Sequence, residues 1–399
     1  MSNQKINNSE RDLREVLSGR DLLCFSHDWS GDPLSKTHLM RALAQKNRVL
    51  WVNSIGYRSP TISKADLTRA FRKLKSAAVP LSEPEPNIFV LNPLAIPAYG
   101  RDQIRKLNRL LLQVQVTRAM RRLQFRRPLN WIFNPAAAVI AGALGEEMVI
   151  YYCVDEYSAF TGVSSQSLAE LEERLLRRAD LVIVSAEMLY ESKSKFNPRT
   201  VLVRHGVDFE HFRQALNPDT KIPDEIANLA KPIIGFFGLI ADWVDLDLIA
   251  LVARRFPHAS VVLLGHASTD TSNLKRIPNL HLLGRKPYSL LPAYCKAFSV
   301  ALMPFRINEL TLNANPLKVR EYLAAGLPVV STAIPEVESL KLCRIGSDAE
   351  SFVQEVESAL LDPGPSVERS EAIRHESWEA RLKEISKHVF GVILEKGRC

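Results

Sequence analysis

The stretch NANPLKVREYLAAGLPVVS, residues 313–331, decides the fold. Asn315 is a good N-cap, and Pro316 fits the first helical position, where its missing N–H costs nothing. Gly326 falls where a helix closes in the left-handed conformation, and the apolar run LPVVST follows at once. Just upstream, FSVALMPF (298–305) has the composition of a strand. Strand, helix and strand in this order make a crossover unit of a parallel sheet. Such sheets bind ligands beyond the carboxyl ends of their strands, and the free N–H groups and dipole at the start of this helix suit a diphosphate.

The same alternation extends in both directions. Upstream lie DLLCFS, RVLWVN, NIFVLNP, LNWIFNP, EMVIYYCVD, LVIVSA and TVLVRHG; in the second half lie PIIGFFG, ASVVLLG and LHLLGR. Several lack period-two alternation, as expected of strands covered on both faces. A chain of 399 residues, 46% hydrophobic and 24% charged, suits two such cores. The expected fold is α/β: two Rossmann-like, doubly wound parallel-sheet domains facing a cleft. Their boundary lies after HGVDFEHF (205–212), where the polar stretch QALNPDTKIPDEIANLAK carries Pro218 and Pro223. The expected organisation is thus 1–212, a linker over 213–231, 232–366, and a C-terminal helix over 367–399 that packs back toward the first domain.

Several function classes are disfavoured. The polar start MSNQKINNSERDLREVLSG lacks the apolar core of a signal peptide. No apolar run reaches the roughly 18 residues of a membrane span, and AAAVIAGALG (136–145) reads as a packed helix. Five scattered cysteines with no CxxC spacing fit a reducing cytoplasm and argue against a disulfide framework or zinc site. No strand is followed by GxGxxG, which removes the main support for a dehydrogenase.

Charge is unevenly placed. The net +8 conceals a region, 58–127, with fifteen Lys or Arg against four acids, a local +11. Within it, RDQIRKLNRLLLQVQVTRAMRRLQFRR (101–127) places Ile104, Leu107, Leu111 and Val114 at helical spacing, with cations largely between. The pattern fits a packed helix with a solvated outer face, and its charge suits anionic phospholipid. It lacks the aromatic interleaving of a nucleic-acid surface, so no nucleic-acid partner is expected.

On the helix begun by Asn315 and Pro316, Lys318 and Glu321 are three apart and share a face. A cation there can meet phosphate while a carboxylate accepts hydrogen bonds from ribose hydroxyls; a solvated Lys–Glu pair is the bland alternative. Asp242, Asp245 and Asp247 have a DxD form, but they suit the cap and first turn of the next helix better than a metal, and none is expected. In the first half, SHDWSGDPLSKTHLMRALAQ (26–45) follows the first strand, placing His27, Asp28, Gly31 and His38 at a carboxyl edge. EMVIYYCVDEYSAF (147–160) ends a strand with Asp155 and Glu156. Asp155 is the candidate general base for an acceptor hydroxyl, or a group that positions sugar; a helix cap is the alternative.

In order and spacing, HGVDFEHF, GFFGLIADWVDLDLI, VVLLG, LHLLGRKPYSLLPAYCKAFSVALMPF and NPLKVREYLAAGLPVVST together resemble the two-domain B-fold glycosyltransferases. The closest likeness is to the family 4-like (group 1) enzymes of bacterial polysaccharide assembly, including teichuronic-acid-type transferases. The resemblance implies a hexosyltransferase-type enzyme without cofactor, taking a UDP- or GDP-linked sugar to a glycan or lipid-linked acceptor. It implies a cytoplasmic protein, peripheral on the inner face of the membrane. It makes the first domain the acceptor side, with Gly31 and His38 in an acceptor-side loop. Gly238 ends the first strand of the second domain where the diphosphate approaches, and Arg285 and Lys286 border the base. Asn315, Pro316, Leu317 and Lys318 face the phosphates, and Glu321 binds ribose. Two departures stand out. Asn313 occupies the place of a first glutamate eight before Glu321, and Leu239, Ile240, Ala241 and Asp242 replace a usually basic loop. Phosphate charge then falls to Lys318, with Arg320 or Arg306 behind it. A nucleotide-sugar 2-epimerase of the same fold and a non-catalytic sugar-nucleotide-binding protein remain as alternatives.

Overall fold

The computed structural model describes residues 17–56, 81–160 and 165–397. The polar N-terminal stretch up to residue 16, six of the cations counted above (at 58–75) and Cys399 lie outside these residues. Two compact units emerge: 1–204 together with 381–399, and 205–380.

The first unit is built on β1 (Asp21–Phe25), β2 (Arg48–Val52), β3 (Ser82–Glu85), β4 (Ile88–Leu91), β5 (Leu129–Ile132), β6 (Met148–Cys153), β7 (Leu181–Val184) and β8 (Thr200–Leu202). They form one sheet in the order β3-β4-β2-β1-β5-β6-β7-β8, parallel except for the β3–β4 pair. β1 sits between β2 and β5, with Leu23 opposite Leu50 on one side and Asn130 on the other. Its DLLCF run is apolar almost throughout because helices cover both faces. Helix α1 (Ser35–Ala44) follows the loop after β1, and α2 (Asp102–Leu123) leads into β5.

The second unit holds β9 (Ile233–Phe237), β10 (Ser260–Leu264), β11 (Leu280–Gly284), β12 (Val300–Met303), β13 (Val329–Thr332) and β14 (Arg344–Gly346). Their order, β11-β10-β9-β12-β13-β14, is wholly parallel, and the winding reverses between β9 and β12. That reversal opens a crevice at the carboxyl ends of β9 and β12. Helices α3 (Leu246–Arg255) and α4 (Leu317–Ala324) follow β9 and β12 respectively. The expected fold class, α/β with two doubly wound sheets, is thus the observed one.

Local structure departs from the sequence reading at several places. The edge strand β3 is SEPE, whose proline and charges hide it; the β3–β4 pairing is antiparallel and its register shifts. AAAVIAGALG is not a helix of that length. A 3-10 turn over Pro135–Val139, capped by Asn134, gives way to Gly142 and Gly145, both with φ of 70°. The stretch 367–396 is broken: Val367–Ala372 is one helix, Ser377 bridges to Val207, and α5 (Trp378–Gly397) begins beyond it. In α2 the buried residues are Arg105, Asn108, Leu112, Val116, Ala119 and Met120. Leu107 and Val114 point to solvent instead. Asn108 fixes this rotation by exchanging hydrogen bonds with both backbone groups of Ile96, while Arg105 reaches Glu170 at 2.9 Å. No described helix is long and apolar enough to cross a membrane.

Candidate functional site

In the second unit the candidate donor groups gather where β9 ends. Gly238, the next residue, has φ of 144°, and its N–H donates to the Leu264 carbonyl at 2.8 Å. Gly265 follows β10 with φ of 155°, and a Cβ there would sit 1.7 Å from the Gly238 oxygen. Two strand ends thus approach as closely as their backbones allow, which glycine alone permits. On its other side Gly238 is covered by Lys318: a Cβ on Gly238 would lie 2.4 Å from Lys318 Cε and 2.9 Å from Cδ. The lysine stem crosses the bare backbone at the end of β9.

Helix α4 brings the lysine there. Its N-cap position is Pro316, with φ of −68°, and no side chain caps this end. Asn315, expected as the N-cap, is one residue earlier; its Oδ1 instead accepts from Arg320, a partner fixed in the interior. The first-turn N–H groups of α4 therefore receive no side-chain cap and lie beside the Lys318 stem. One turn on, Glu321 is 3% exposed. Burial pushes its carboxyl up to about 7; the Lys318 ammonium partly offsets this, and Asp208 adds to the rise. Tyr322 locks the arrangement: its hydroxyl receives the Phe237 N–H at 2.8 Å, pinning the end of β9 to α4. Gly326 closes the helix with φ of 81°, as its place in the sequence indicates.

The two reserve cations are engaged elsewhere. Arg320 is wholly buried, its Nε donating to Glu376 at 3.0 Å, so it cannot reach a phosphate. Arg306 meets Asp245 at 3.5 Å and Asp247 at 3.3 Å. Lys286 pairs with Glu225 at 2.6 Å, while Arg285 stands exposed just past β11. Asn313 donates to the Glu309 carbonyl at 2.8 Å. Asp245 caps α3, accepting from the N–H groups of Asp247 and Leu248, both at 3.2 Å, and Asp247 occupies the first turn.

In the first unit a polar cluster lines the carboxyl ends of β1 and β6. The loop after β1 is tied down: the Trp29 N–H donates to Asn53 at 2.8 Å, and the Trp51 indole donates to the His27 carbonyl at 2.9 Å. Burial, helped by Lys36, lowers His27 to about 3, so it is neutral at physiological pH; Ser26 and Thr37 lie 3.1 and 3.4 Å from its ring nitrogens. Gly31 is exposed in the same loop, and His38 is buried on α1. Beyond β6, Glu156 is held by Lys193 at 2.7 Å, and Lys193 also meets Glu172 at 2.9 Å. The Asp155 carboxylate accepts no hydrogen bond from a described residue; only its backbone oxygen does, from the Cys153 thiol at 3.4 Å. Burial raises it to about 6, Lys36 draws it back down, and Glu156 adds to the rise. Lys36, from the first turn of α1, lies 3.4 Å from the Tyr157 hydroxyl.

Sequence reasoning passed over Lys36, Tyr322, Gly265 and Asp208. Lys36 had a visible signal, a cation in the first turn of a helix whose neighbours Ser35, Thr37 and His38 are all buried. Tyr322 and Gly265 become visible only once the strands are paired.

Comparison with known proteins finds relatives in both sequence and fold. Residues 231–362 match the family described as glycosyl transferases group 1, and the chain shares the two-domain B fold of solved enzymes. It is distantly similar to TuaH of Bacillus subtilis (strain 168), assigned as a teichuronic acid biosynthesis glycosyltransferase. The two are 26% identical over 285 residues, covering 65% of this chain and 70% of TuaH. Sucrose-phosphate synthase from Thermosynechococcus elongatus superposes with a TM-score of 0.68 at 15% identity, covering 94% of this chain and all of that one. Anabaena Alr3699/HepE, solved with UDP, gives a TM-score of 0.58 at 14% identity, covering 95% and 98%.

Proposed function

We propose that this enzyme moves a hexose from a UDP- or GDP-linked donor to a glycan or lipid-linked acceptor of a cell-surface polysaccharide. It does so in the cytoplasm, at the inner face of the membrane. The observation that carries the reading is the joining of Lys318, Gly238 and Glu321 at one helix start. The bare backbone at Gly238 lets the Lys318 stem pass close against the end of β9. The Lys318 ammonium and the α4 N–H groups then stabilise the negative charge that builds on the departing nucleotide as the sugar–oxygen bond breaks. Glu321 accepts from the ribose hydroxyls, Arg285 borders the base, and Asn315, Pro316 and Leu317 shape the approach to the phosphates.

In the first unit Asp155 takes the proton of the acceptor hydroxyl, or positions the sugar if the outcome is retention. A carboxylate poised near 6 is ionised at physiological pH yet basic enough to accept a proton. Gly31 belongs to the loop on that side, and His38 lies on α1, which follows that loop. The binding of UDP and UDP-glucose by HepE supports a nucleotide-sugar donor, and the likeness to TuaH supports a polysaccharide acceptor.

The test is a screen of UDP- and GDP-sugars for release of nucleoside diphosphate with and without acceptor. Acceptor-dependent release, with the sugar recovered on the acceptor, is expected. Acceptor-independent rearrangement of the sugar would mark an epimerase, and binding without turnover a carrier.

A further inference from the structure

The outward face of α2 has a composition that folding does not explain. Leu107, Leu110 and Val114 are 43%, 60% and 61% exposed. Their spacing of three and four puts them side by side on one helical face. Single exposed apolar residues are ordinary on a protein surface, but three contiguous ones along a helix are not. The charge around them is of one sign. Residues 103–127 contain eight Lys or Arg and no Asp or Glu. Arg105 is buried against Glu170, and the other seven are exposed and make no ion pair among the described residues. Lys106 flanks the apolar row at one end, and Arg118 and Arg121 continue the same face at the other.

We propose that this face is a membrane-docking surface for an anionic bilayer. Leu107, Leu110 and Val114 enter the headgroup–acyl boundary, while Lys106, Arg118 and Arg121 hold lipid phosphates. An apolar row rimmed by cations is the pattern of a helix lying in the interface plane. A protein partner would need matching acids and an apolar patch; an anionic bilayer supplies both chemistries continuously. The proposal deepens the acceptor reading above by naming where a lipid-linked acceptor would be met, and it rests on that reading for its purpose.

Flotation of the full chain with phosphatidylglycerol-containing vesicles and with pure phosphatidylcholine vesicles tests it. Wild type should partition into the anionic vesicles and be released as salt rises. Leu110→Gln with Val114→Gln should lower that partitioning about tenfold or more even at low salt. Arg118→Gln with Arg121→Gln should lower it similarly and flatten the salt dependence. Glutamine preserves helix propensity, and unchanged nucleotide binding and circular dichroism would show that the variants are folded. Equal wild-type binding to both vesicle types, or wild-type-like binding by the leucine–valine variant, overturns the proposal. So does a lipid-free dimer that this variant abolishes. Absent docking with intact nucleotide binding sinks the membrane surface alone; absent nucleotide binding in wild type counts against the transfer reading.

Discussion

Lys318 lies across Gly238 so closely that a single methyl group on the glycine would stand 2.4 Å from the lysine Cε. The two residues are 80 apart in the chain. Tyr322 brings them together by holding the end of β9 against α4.

The two glycines at this crevice should respond differently to alanine. At Gly238 the added methyl meets a flexible side chain, and the cost is chiefly a φ of 144° that alanine rarely adopts. Gly238→Ala should lose about 1–3 kcal/mol and displace Lys318, weakening diphosphate binding. At Gly265 the methyl meets the Gly238 backbone oxygen at 1.7 Å, which no rotamer relieves. Gly265→Ala should cost distinctly more. Urea denaturation of both variants checks the order, and equal losses would mean that the backbone contact is not tight.

Glu321 links pH to stability and to binding. Burial raises its folded pKa from 4.5 to about 7, so the protonated form is the comfortable one. Its contribution is fully present below 4.5 and is lost as pH rises through 7. Glu321→Gln should therefore gain stability relative to wild type across that window, on the order of 1–3 kcal/mol at pH 8. Nucleoside binding should run the other way, strengthening in wild type as the carboxylate ionises to accept ribose hydroxyls. Denaturation and nucleoside titrations between pH 5 and 8 measure both; a pH-independent difference between variant and wild type would place the pKa outside this window.

Most of the fold was legible because both sheets announce themselves as short apolar runs broken by helical stretches. β3 and β14 were not, since SEPE and RIG lack the hydrophobic weight of a covered strand. At the site, residue types were readable and their employment was not. Arg320 and Lys318 look interchangeable on paper. Burial separates them: the arginine faces Glu376 in the interior, while the lysine lies over Gly238. Periodicity misjudged the turn of α2 for a related reason. Arg105 and Asn108 face inward there, because each finds hydrogen-bond partners that outweigh the preference for burying Leu107.

Lys36 gives Asp155 a testable dependence. The carboxylate is raised by burial and drawn back by that ammonium. Asp155→Asn should lower kcat by about a hundredfold or more while leaving donor affinity unchanged. Lys36→Met should move the acidic limb of the pH–rate profile upward, from near 6 toward neutrality. A structural role for Lys36 would depress the rate without moving the limb. Full activity in Asp155→Asn would reduce that residue to a cap.

The central claim is that Lys318 binds the donor diphosphate and Arg320 does not. Arg320→Ala should be destabilising by about 3–5 kcal/mol because it leaves Glu376 buried without this partner. The most direct measurement is calorimetric titration of wild type and Lys318→Ala with a nucleoside diphosphate and with its nucleoside. Lys318→Ala should weaken the diphosphate by about 1.5–3 kcal/mol, the range for a hydrogen bond to a charged group, and hardly change the nucleoside. Wild-type affinity for the diphosphate in Lys318→Ala would contradict the account and place the donor phosphates elsewhere.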